Sequence, residues 1–330
     1  MNNRINDRIN DVLQLLADGR FHSGQALGEQ LGVTRAAINQ HIQKLIELGV
    51  EVFSVHGKGY RLGHRLELLD AETIAAAAAV NQQQLEVQSV VGSSNDEIRT
   101  LSHAKALPAG YAVFAEAQTA GRGRRGKPWF SPFGSNLYIS IYWPLTDGIN
   151  SAMGLSLVVG VAVADALTAL GIKDVGVKWP NDVYVEHKKL AGILVELDSR
   201  SDGQSTSVIG IGVNLRMPEQ GAKAIDQRWT DIAAHISADW SRNAIAGSIY
   251  RNVLDALERF SQYGLEPTRN KWVSYDIYLN QPVTLMMGQR TVSGICRGID
   301  ENGAILLDQQ GSIIRYFGGE VSLRAAHVID

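Results

Sequence analysis

Between Gln118 and Trp129 the chain reads QTAGRGRRGKPW, in which Gly121, Gly123 and Gly126 alternate with Arg122, Arg124, Arg125 and Lys127, with no carboxylate inside the stretch. Glycine permits positive φ and close backbone approach to a ligand. Arginine offers a planar fork of donors matched to carboxylate or phosphate oxygens. A loop of this composition repels itself when empty, so its natural occupant is a small ligand carrying several negative charges.

Two phosphate-binding templates nearly fit and are set aside. Gly121, Gly123 and Gly126 satisfy G-x-G-x-x-G, but the dinucleotide fingerprint requires the last glycine to open a helix, and Pro128, Trp129 and Phe130 follow instead. Gly121 to Pro128 also approximates a P-loop in which Pro128 replaces the hydroxyl residue that would hold magnesium. Taken alone, the stretch would also suit a solvated basic surface loop.

The stretch does not stand alone. Ser93-Ser94-Asn95, GRGRRG at Gly121–Gly126, KWPND at Lys178–Asp182, KLAGIL at Lys189–Leu194 and GIGVN at Gly210–Asn214 follow one another along the chain. In this order and spacing they resemble the biotin protein ligases, and from the first helix to about Arg324 the chain is similar to the two-function bacterial form, in which the ligase is also the repressor of the biotin operon. The resemblance implies attack by the biotin carboxylate on the α-phosphate of ATP, giving biotinyl-adenylate and pyrophosphate, followed by acyl transfer to a lysine of the biotin carboxyl carrier protein of acetyl-CoA carboxylase. ATP, biotin and the Mg2+ that accompanies ATP are the implied cofactors; no metal site of the protein's own is implied.

Two anions must meet in that reaction. Arg122, Arg124, Arg125, Lys178 and Lys189 are the cations suited to offset their repulsion, a form of electrostatic catalysis that requires no side-chain nucleophile. By resemblance Lys189 lies nearest the acyl-phosphate junction, although beside Lys188 it also reads as one of a solvated pair. Ser93, Ser94, Asn95 and Gln118 match the polar groups around the ureido ring, and Gly121, Arg122, Arg124, Lys189 and Gly192 complete the implied biotin set. The adenylate set is Arg125, Lys127, Trp129, Lys178, Asn181, Asp182, Asn214 and Trp229. Both tryptophans suit the core equally well, and Asn181 and Asp182, after Pro180, suit either a plain turn or contacts to ribose, phosphates and Mg2+. Gly210 and Gly212 let a strand approach the ligand. Ser94 stands where the family often has threonine, and Lys127 where it often has arginine, which would cost a methyl contact and a bidentate fork respectively.

The elements that must position these groups fall into three units, expected at residues 1–64, 65–270 and 271–330. A chain of 330 residues with 45% hydrophobic content can bury cores for that many, and its net charge of −3 decides nothing about partners. Cys296 is the only cysteine, which excludes an intramolecular disulfide and a cysteine-rich zinc site, fits a reducing compartment, and reads as a small buried hydrophobe. The polar start MNNRINDRIN carries no secretory signal, and the uncharged run Gly148–Ala164 is shorter than the ~20 residues a spanning helix needs. These features predict a soluble, cytoplasmic protein without membrane partners.

In the first unit Ile5, Ile9, Val12, Leu13 and Leu16 recur at helical spacing, Ser23 caps a second helix to Leu31, and Thr34 caps a third whose buried stripe is Ile38, Ile42, Leu45 and Ile46. Ser23, Thr34, Arg35, Asn39, Gln40 and Gln43 are then placed to read base edges or hold phosphates. Val50–Leu62 alternates as two strands around His56-Gly57-Lys58-Gly59, a wing whose Lys58 can lie along a DNA backbone. Eight Lys or Arg against six Asp or Glu in residues 1–65 is a weak basic balance, equally compatible with a docking surface. TRAAINQHI resembles the family's recognition helix, which favours DNA. His22, His41, His56 and His64 form no metal-ligand pattern.

Leu66–Ala79 reads as a linker helix. Strands at Ala112–Glu116, Leu137–Trp143, Val175–Trp179, Leu190–Leu197 and Ser207–Val213, with helices at Ala152–Leu170 and Asn243–Tyr263, give a mixed α/β layer. The resemblance makes it the catalytic fold shared by biotin and lipoate ligases and distantly by class II tRNA synthetases. Short strands at Pro282–Met287, Thr291–Gly298, Ala304–Leu307 and Ile313–Phe317, with turns at Met287-Gly288, Asn302-Gly303 and Gln310-Gly311, predict a small terminal β-barrel, similar to the family's SH3-like domain. The whole is an α+β multidomain chain. Its implied partners are the carrier protein, operator DNA of the biotin genes, and a second copy of itself, paired when adenylate orders the loops at Gln118–Trp129 and Ala224–Trp229. A biotin sensor without ligase activity and a lipoate or octanoyl transferase are the alternative readings.

Overall fold

The computed structural model describes residues 2–63, 66–145, 154–199, 205–218, 225–237, 240–287, 290–317 and 321–325. Helix α1 (Asn2–Leu16), α2 (Gly24–Leu31) and α3 (Arg35–Glu47) precede a hairpin of β1 (Val52–Val55) and β2 (Gly59–Leu62). Ser23 and Thr34 cap α2 and α3 as their types predict, accepting from Ala26 N at 3.0 Å and Ala37 N at 3.2 Å. Ile9, Val12, Leu13, Leu16, Leu27, Ile38, Ile42 and Leu45 close one core. Ile46 does not join it: 45% of its surface stays exposed. The stripe of a 13-residue helix is narrower than an uninterrupted apolar run suggests, and Ile46 falls just past its edge.

The expected linker helix is shorter than its apolar pattern. Leu66–Asp70 carries no helix, and α4 (Ala71–Ala78) begins only after Asp70, whose carboxylate accepts from Thr73 N at 2.8 Å. The extended stretch is held by buried polar contacts. Arg242 Nη2 donates to Glu116 Oε2 at 2.9 Å and to the Asn136 carbonyl at 3.0 Å, its Nη1 donates to the Glu67 carbonyl at 2.6 Å, and Leu69 N donates to Glu116 Oε1. Both side chains of the pair are about 5% exposed or less.

A seven-stranded sheet forms the centre, in the order β3-β4-β5-β9-β8-β7-β6. Its strands are β3 (Leu85–Val91), β4 (Ala112–Gln118), β5 (Asn136–Leu145), β6 (Val175–Lys178), β7 (Asp182–Val185), β8 (Lys188–Ser199) and β9 (Ser205–Asn214). Only β3 and β4 pair in parallel. Helix α4, α6 (Leu155–Ala169) and α7 (Arg242–Tyr263) join the main core with Ile139, Ile141, Ile193, Ile209 and Ile211. Alternation along the strands sends Val113, Tyr142 and Val208 to the opposite face, against Ile98 of α5 (Ser94–Ala104). That second face is the one left free to hold a ligand.

Helix α8 (Glu266–Tyr275) crosses residues 270 and 271, where the second and third units were expected to meet. It leads into a five-stranded antiparallel sheet of β10 (Pro282–Met287), β11 (Arg290–Ile299), β12 (Ile305–Gln309), β13 (Ser312–Tyr316) and β14 (Val321–Ala325), ordered β13-β12-β11-β10-β14. The turn expected at Met287-Gly288 falls partly outside the described residues. Cys296 is fully buried, and burial pushes its thiol up to about 12, as a packing residue requires. No described helix is long and apolar enough to cross a membrane.

The first and central units share surface. Phe133 N donates to the Leu48 carbonyl at 3.0 Å, Leu66 N to the Ala17 carbonyl at 3.2 Å, and the Phe133 ring is buried with the core of the first unit. Removing Glu116 would leave the Arg242 guanidinium buried and uncompensated. We predict that Glu116→Ala lowers unfolding free energy by about 3–5 kcal/mol, read from the urea midpoint at unchanged slope.

Candidate ligand site

The floor of the site is a patch of sheet without side chains. Tyr138 of β5 pairs with Gly212 of β9, Gly212 with Gly192 of β8, and Gly192 with Asp182 of β7, so a row runs across four strands. Gly210 lies two residues along on the same face. A Cβ at Gly210 would stand 2.6 Å from Asn95 Oδ1, one at Gly192 would stand 3.0 Å from Cζ3 of Trp129, and one at Gly212 would overlap the indole itself. These glycines are required by close approach, as expected of Gly210 and Gly212, and none of them needs positive φ.

A polar cluster closes one end. Ser93, Ser94 and Asn95 at the start of α5 are buried. Ser94 N and Oγ both donate to Gln118 Oε1, at 2.9 and 3.0 Å, and Gln118 Nε2 donates to Ser131 Oγ at 3.0 Å. Ser140 Oγ lies 2.7 Å from Ser94 Oγ and 2.5 Å from Asn95 Oδ1, while Asn95 Nδ2 donates to Glu196 Oε2 at 2.8 Å. Three of the four residues singled out by sequence, Ser94, Asn95 and Gln118, are therefore one connected group, while Ser93 is buried beside them as the N-cap of α5 without a side-chain cap hydrogen bond. Ser131, Ser140 and Glu196 belong to that group and were missed. Ser140 had a readable signal, a small polar residue among large apolar and aromatic ones in LYISIYW.

The glycine-arginine loop is a small hairpin, not a phosphate loop leading into a helix. Gly123 N donates to the Lys127 carbonyl at 2.7 Å and Trp129 N to the Gly121 carbonyl at 2.9 Å, with Arg124–Gly126 as a short 3-10 tip. Of its three glycines only Gly126 takes positive φ, and Arg125 shares that conformation at φ 59°. Gly121 is glycine for another reason: a Cβ there would sit 2.6 Å from Ser131 Oγ.

The loop's cations have different fates. Arg122 is neutralised after all, by carboxylates distant in sequence: Nη1 and Nη2 donate to Asp96 at 2.7 and 2.6 Å, and Nε and Nη2 to Glu196 at 3.2 and 3.1 Å. The Asp96 hydrogen bonds raise the Arg122 pKa, and the same contact holds the Asp96 carboxyl below its usual range. Arg125 and Lys127 are exposed at the tip. Arg124 turns inward, donating to Asn181 Oδ1 at 3.3 Å; burial lowers its pKa, with Asp182 opposing and Arg125 adding to that shift.

Arg124 thus reaches the second cationic group. Lys189 Nζ lies 2.9 Å from Asp182 Oδ1, with only 13% and 16% of the two side chains exposed, and 5.3 Å from the Trp129 ring centre. That burial removes the solvated-pair reading of Lys189. Asn181 is fixed by paired contacts with Ile193, Nδ2 to carbonyl and carbonyl to N, both 2.9 Å. Lys178 lies over the Tyr184 and Tyr278 rings at 5.3 and 6.0 Å. Asn214 Nδ2 donates to the Thr230 carbonyl at 3.0 Å, and Trp229 bridges Lys189 through the backbone. Trp129 is half-buried on the glycine floor, and its Nε1 has no partner among the described residues. Residues 221–224, including Ala224 of the second expected loop, lie outside the described set.

On the first unit Arg35, Asn39, Gln40, Gln43 and Lys58 are exposed together with the capping residues Ser23 and Thr34, and Tyr60 Oη of the wing donates to Asn39 Oδ1 at 3.4 Å. Helix face and hairpin therefore present one continuous polar surface.

Comparison with known proteins follows the same division. The biotin/lipoate A/B protein ligase family model matches residues 89–214, an HTH domain model residues 8–61, and the biotin protein ligase C terminal domain model residues 278–324. The chain is 46% identical over 316 residues to the bifunctional ligase/repressor BirA of Salmonella typhimurium (strain LT2), covering 96% of this chain and 97% of the relative, and equally to that of Escherichia coli (strain K12). A biotin protein ligase from Aquifex aeolicus in complex with biotin and ATP matches with a TM-score of 0.61 at 28% identity, over 73% of this chain and 99% of that one.

Gly212→Ala tests the glycine floor. The new methyl would displace the Trp129 indole, and we expect a red-shifted tryptophan emission relative to the parent, a difference absent when the same change is made in Trp129→Phe.

Proposed function

The chain belongs to the biotin protein ligases in their bifunctional ligase/repressor form, and from that premise we propose how its own residues divide the work. The protein is a biotin ligase and a DNA-binding repressor. The observation that carries the assignment of roles is the convergence of Lys189, Asp182, Asn181 and Arg124 beside the glycine floor.

In the first step a biotin carboxylate oxygen bonds to the α-phosphorus of ATP as the bond to the bridging oxygen breaks, and pyrophosphate leaves with that electron pair. Ser93, Ser94, Asn95 and Gln118 hold the ureido end, where donors and acceptors are already ordered. Gly121 and Gly192 let the ligand lie close to the backbone. Lys189 and Arg124 sit at the junction of carboxylate and phosphate, with Lys178, Arg125 and Lys127 toward the leaving group. Positioned donors of this kind act by stabilising the charge developing in transfer. Arg122, committed to Asp96 and Glu196, serves the loop's geometry more than the ligand's charge. Trp129, Trp229 and Asn214 enclose the adenylate. Mg2+ arrives with ATP, and Asp182 with Asn181 supplies the hard oxygen atoms suited to it. In the second step the amine of a carrier-protein lysine attacks the acyl carbon, AMP leaves, and the nitrogen's proton passes to solvent.

As repressor, the exposed row on α3 enters the major groove while Lys58 follows the backbone, with Ser23 and Thr34 N-termini facing phosphates. Adenylate retained when acceptor is scarce stabilises the loops at Gln118–Trp129 and Ala224–Trp229 and thereby a homodimer, whose two-fold axis matches an inverted-repeat operator. Three units at residues 1–64, 65–270 and 271–330 and a cytoplasmic location complete the proposal.

Purified protein without acceptor is expected to catalyse biotin-dependent ATP–pyrophosphate exchange, with lipoate inactive in its place. Lys189→Ala should lower the exchange rate by ~10²–10³-fold, the range for loss of one transition-state donor. Exchange supported equally by lipoate, or none from folded, biotin-binding protein, contradicts this reading. Sedimentation velocity supplies a separate check: saturating biotin and ATP should shift the protein from monomer to dimer, and an unchanged monomer sinks the dimer proposal.

A further inference from the structure

Lys189 lies beyond the end of its neighbouring strand. From Ala191 to Ser199 strand β8 is paired with β9, but at Lys189 that partner has ended and a short strap replaces it. Lys189 N donates to the Arg228 carbonyl at 3.1 Å, and the Lys189 carbonyl accepts from Thr230 N at 2.9 Å. Arg228–Thr230 belongs to no helix or strand, so its placement depends on what anchors it.

The anchors are few and specific. Asn214 Nδ2 holds the Thr230 carbonyl at 3.0 Å, and the Asp231 carboxylate accepts from Met217 N at 2.9 Å and from Ala234 N at 3.0 Å. Ala233 N donates to the Leu215 carbonyl at 2.9 Å, and a further contact joins two side chains: Thr230 Oγ1 and His235 Nε2 are 2.8 Å apart, across a short 3-10 turn at Ile232–Ala234. Asn214 and Asp231 fix main chain. The hydroxyl of Thr230, only 6% exposed, is fixed by His235.

We propose that His235 is a positioning residue for adenylate formation, acting through the Thr230 hydroxyl to lock the strap against the main chain of Lys189. This rests on the ligase reading. A lysine side chain has four rotatable bonds, so the Lys189 ammonium is located by its backbone at one end and by Asp182 and the Trp129 ring at the other. Asp182 secures the far end; the strap secures the near one. A displacement of about 1 Å at a reacting group costs up to ~10²-fold in rate, so a loosened strap acts on chemistry while leaving the distant biotin-holding cluster of Ser94, Asn95 and Gln118 in place.

Four full-length variants test this by ATP–pyrophosphate exchange at saturating biotin and ATP, with biotin affinity measured separately by titration and folding by urea denaturation. Thr230→Val keeps the shape and loses the hydroxyl, Thr230→Ser keeps the hydroxyl, His235→Ala loses the partner, and the fourth combines Thr230→Val with His235→Ala. The expected result is a fall in kcat of about tenfold for Thr230→Val and for His235→Ala, biotin affinity unchanged, most of the rate retained by Thr230→Ser, and a double variant no slower than the slower single one. Normal rates in both single variants, multiplied losses in the double, or an equal loss in Thr230→Ser would each overturn the inference. Absence of exchange in the parent protein would instead overturn the ligase reading, and this inference with it.

Discussion

The site depends on a steric constraint: Gly192, Gly210 and Gly212 leave one face of the central sheet bare where two strands lie side by side. Any side chain there would fill the depression that the indole of Trp129 and the amide of Asn95 now occupy. Because strand residues alternate faces, the same strands bury Ile193, Ile209 and Ile211 on the reverse, packed against α6 and α7. The main core therefore stiffens the floor from behind. A floor built of glycine would otherwise be its most pliable part, and the loss is offset by two long flanking partners, β5 and β8, paired with β9 along nearly its whole length.

Charge is arranged around that floor by commitment. Loop cations that look equivalent in sequence are separated by distance to carboxylates: Arg122 is clasped by Asp96 and Glu196, while Arg124 faces Asn181 and Asp182 and Arg125 remains in solvent. A single carboxylate, Asp182, serves Lys189 and lies near Arg124. The result is a positive site in which each inward cation is held by a protein partner, Lys189 by Asp182 and Arg124 by Asn181.

Much of this was legible because the ligand-facing residues occur in short contiguous motifs. GRGRRG, KWPND, KLAGIL and GIGVN each contain both a geometric and a chemical component, and the structure brings Arg124, Asn181, Asp182, Lys189, Gly192 and Gly212 into one region. What escaped are partners that supply no motif of their own. Glu196 meets Asn95 across 101 positions, and Asp96 meets Arg122 across 26, separations at which local pattern carries no information. Strand β3 and helix α5 were missed for a different reason: one is a half-buried edge strand, the other an 11-residue helix whose apolar residues, Ile98, Leu101 and Ala104, are too few to stand out in the sequence. Ile46 failed the other way, being apolar at a position that packing leaves outside.

The descending limb of the loop has a consequence for the independence of the two halves of the molecule. Trp129 rests on the glycine floor, Ser131 accepts from Gln118, the Pro132 carbonyl accepts the Tyr138 hydroxyl, and Phe133 is embedded in the helix-turn-helix core with its N–H on Leu48. Within five residues, Trp129 to Phe133, the chain thus passes from the glycine floor into the core of the first unit. In this chain, trimming the first unit away would expose the Phe133 ring and free its N–H from Leu48, so the limb that carries Trp129 to the floor would lose its far anchor.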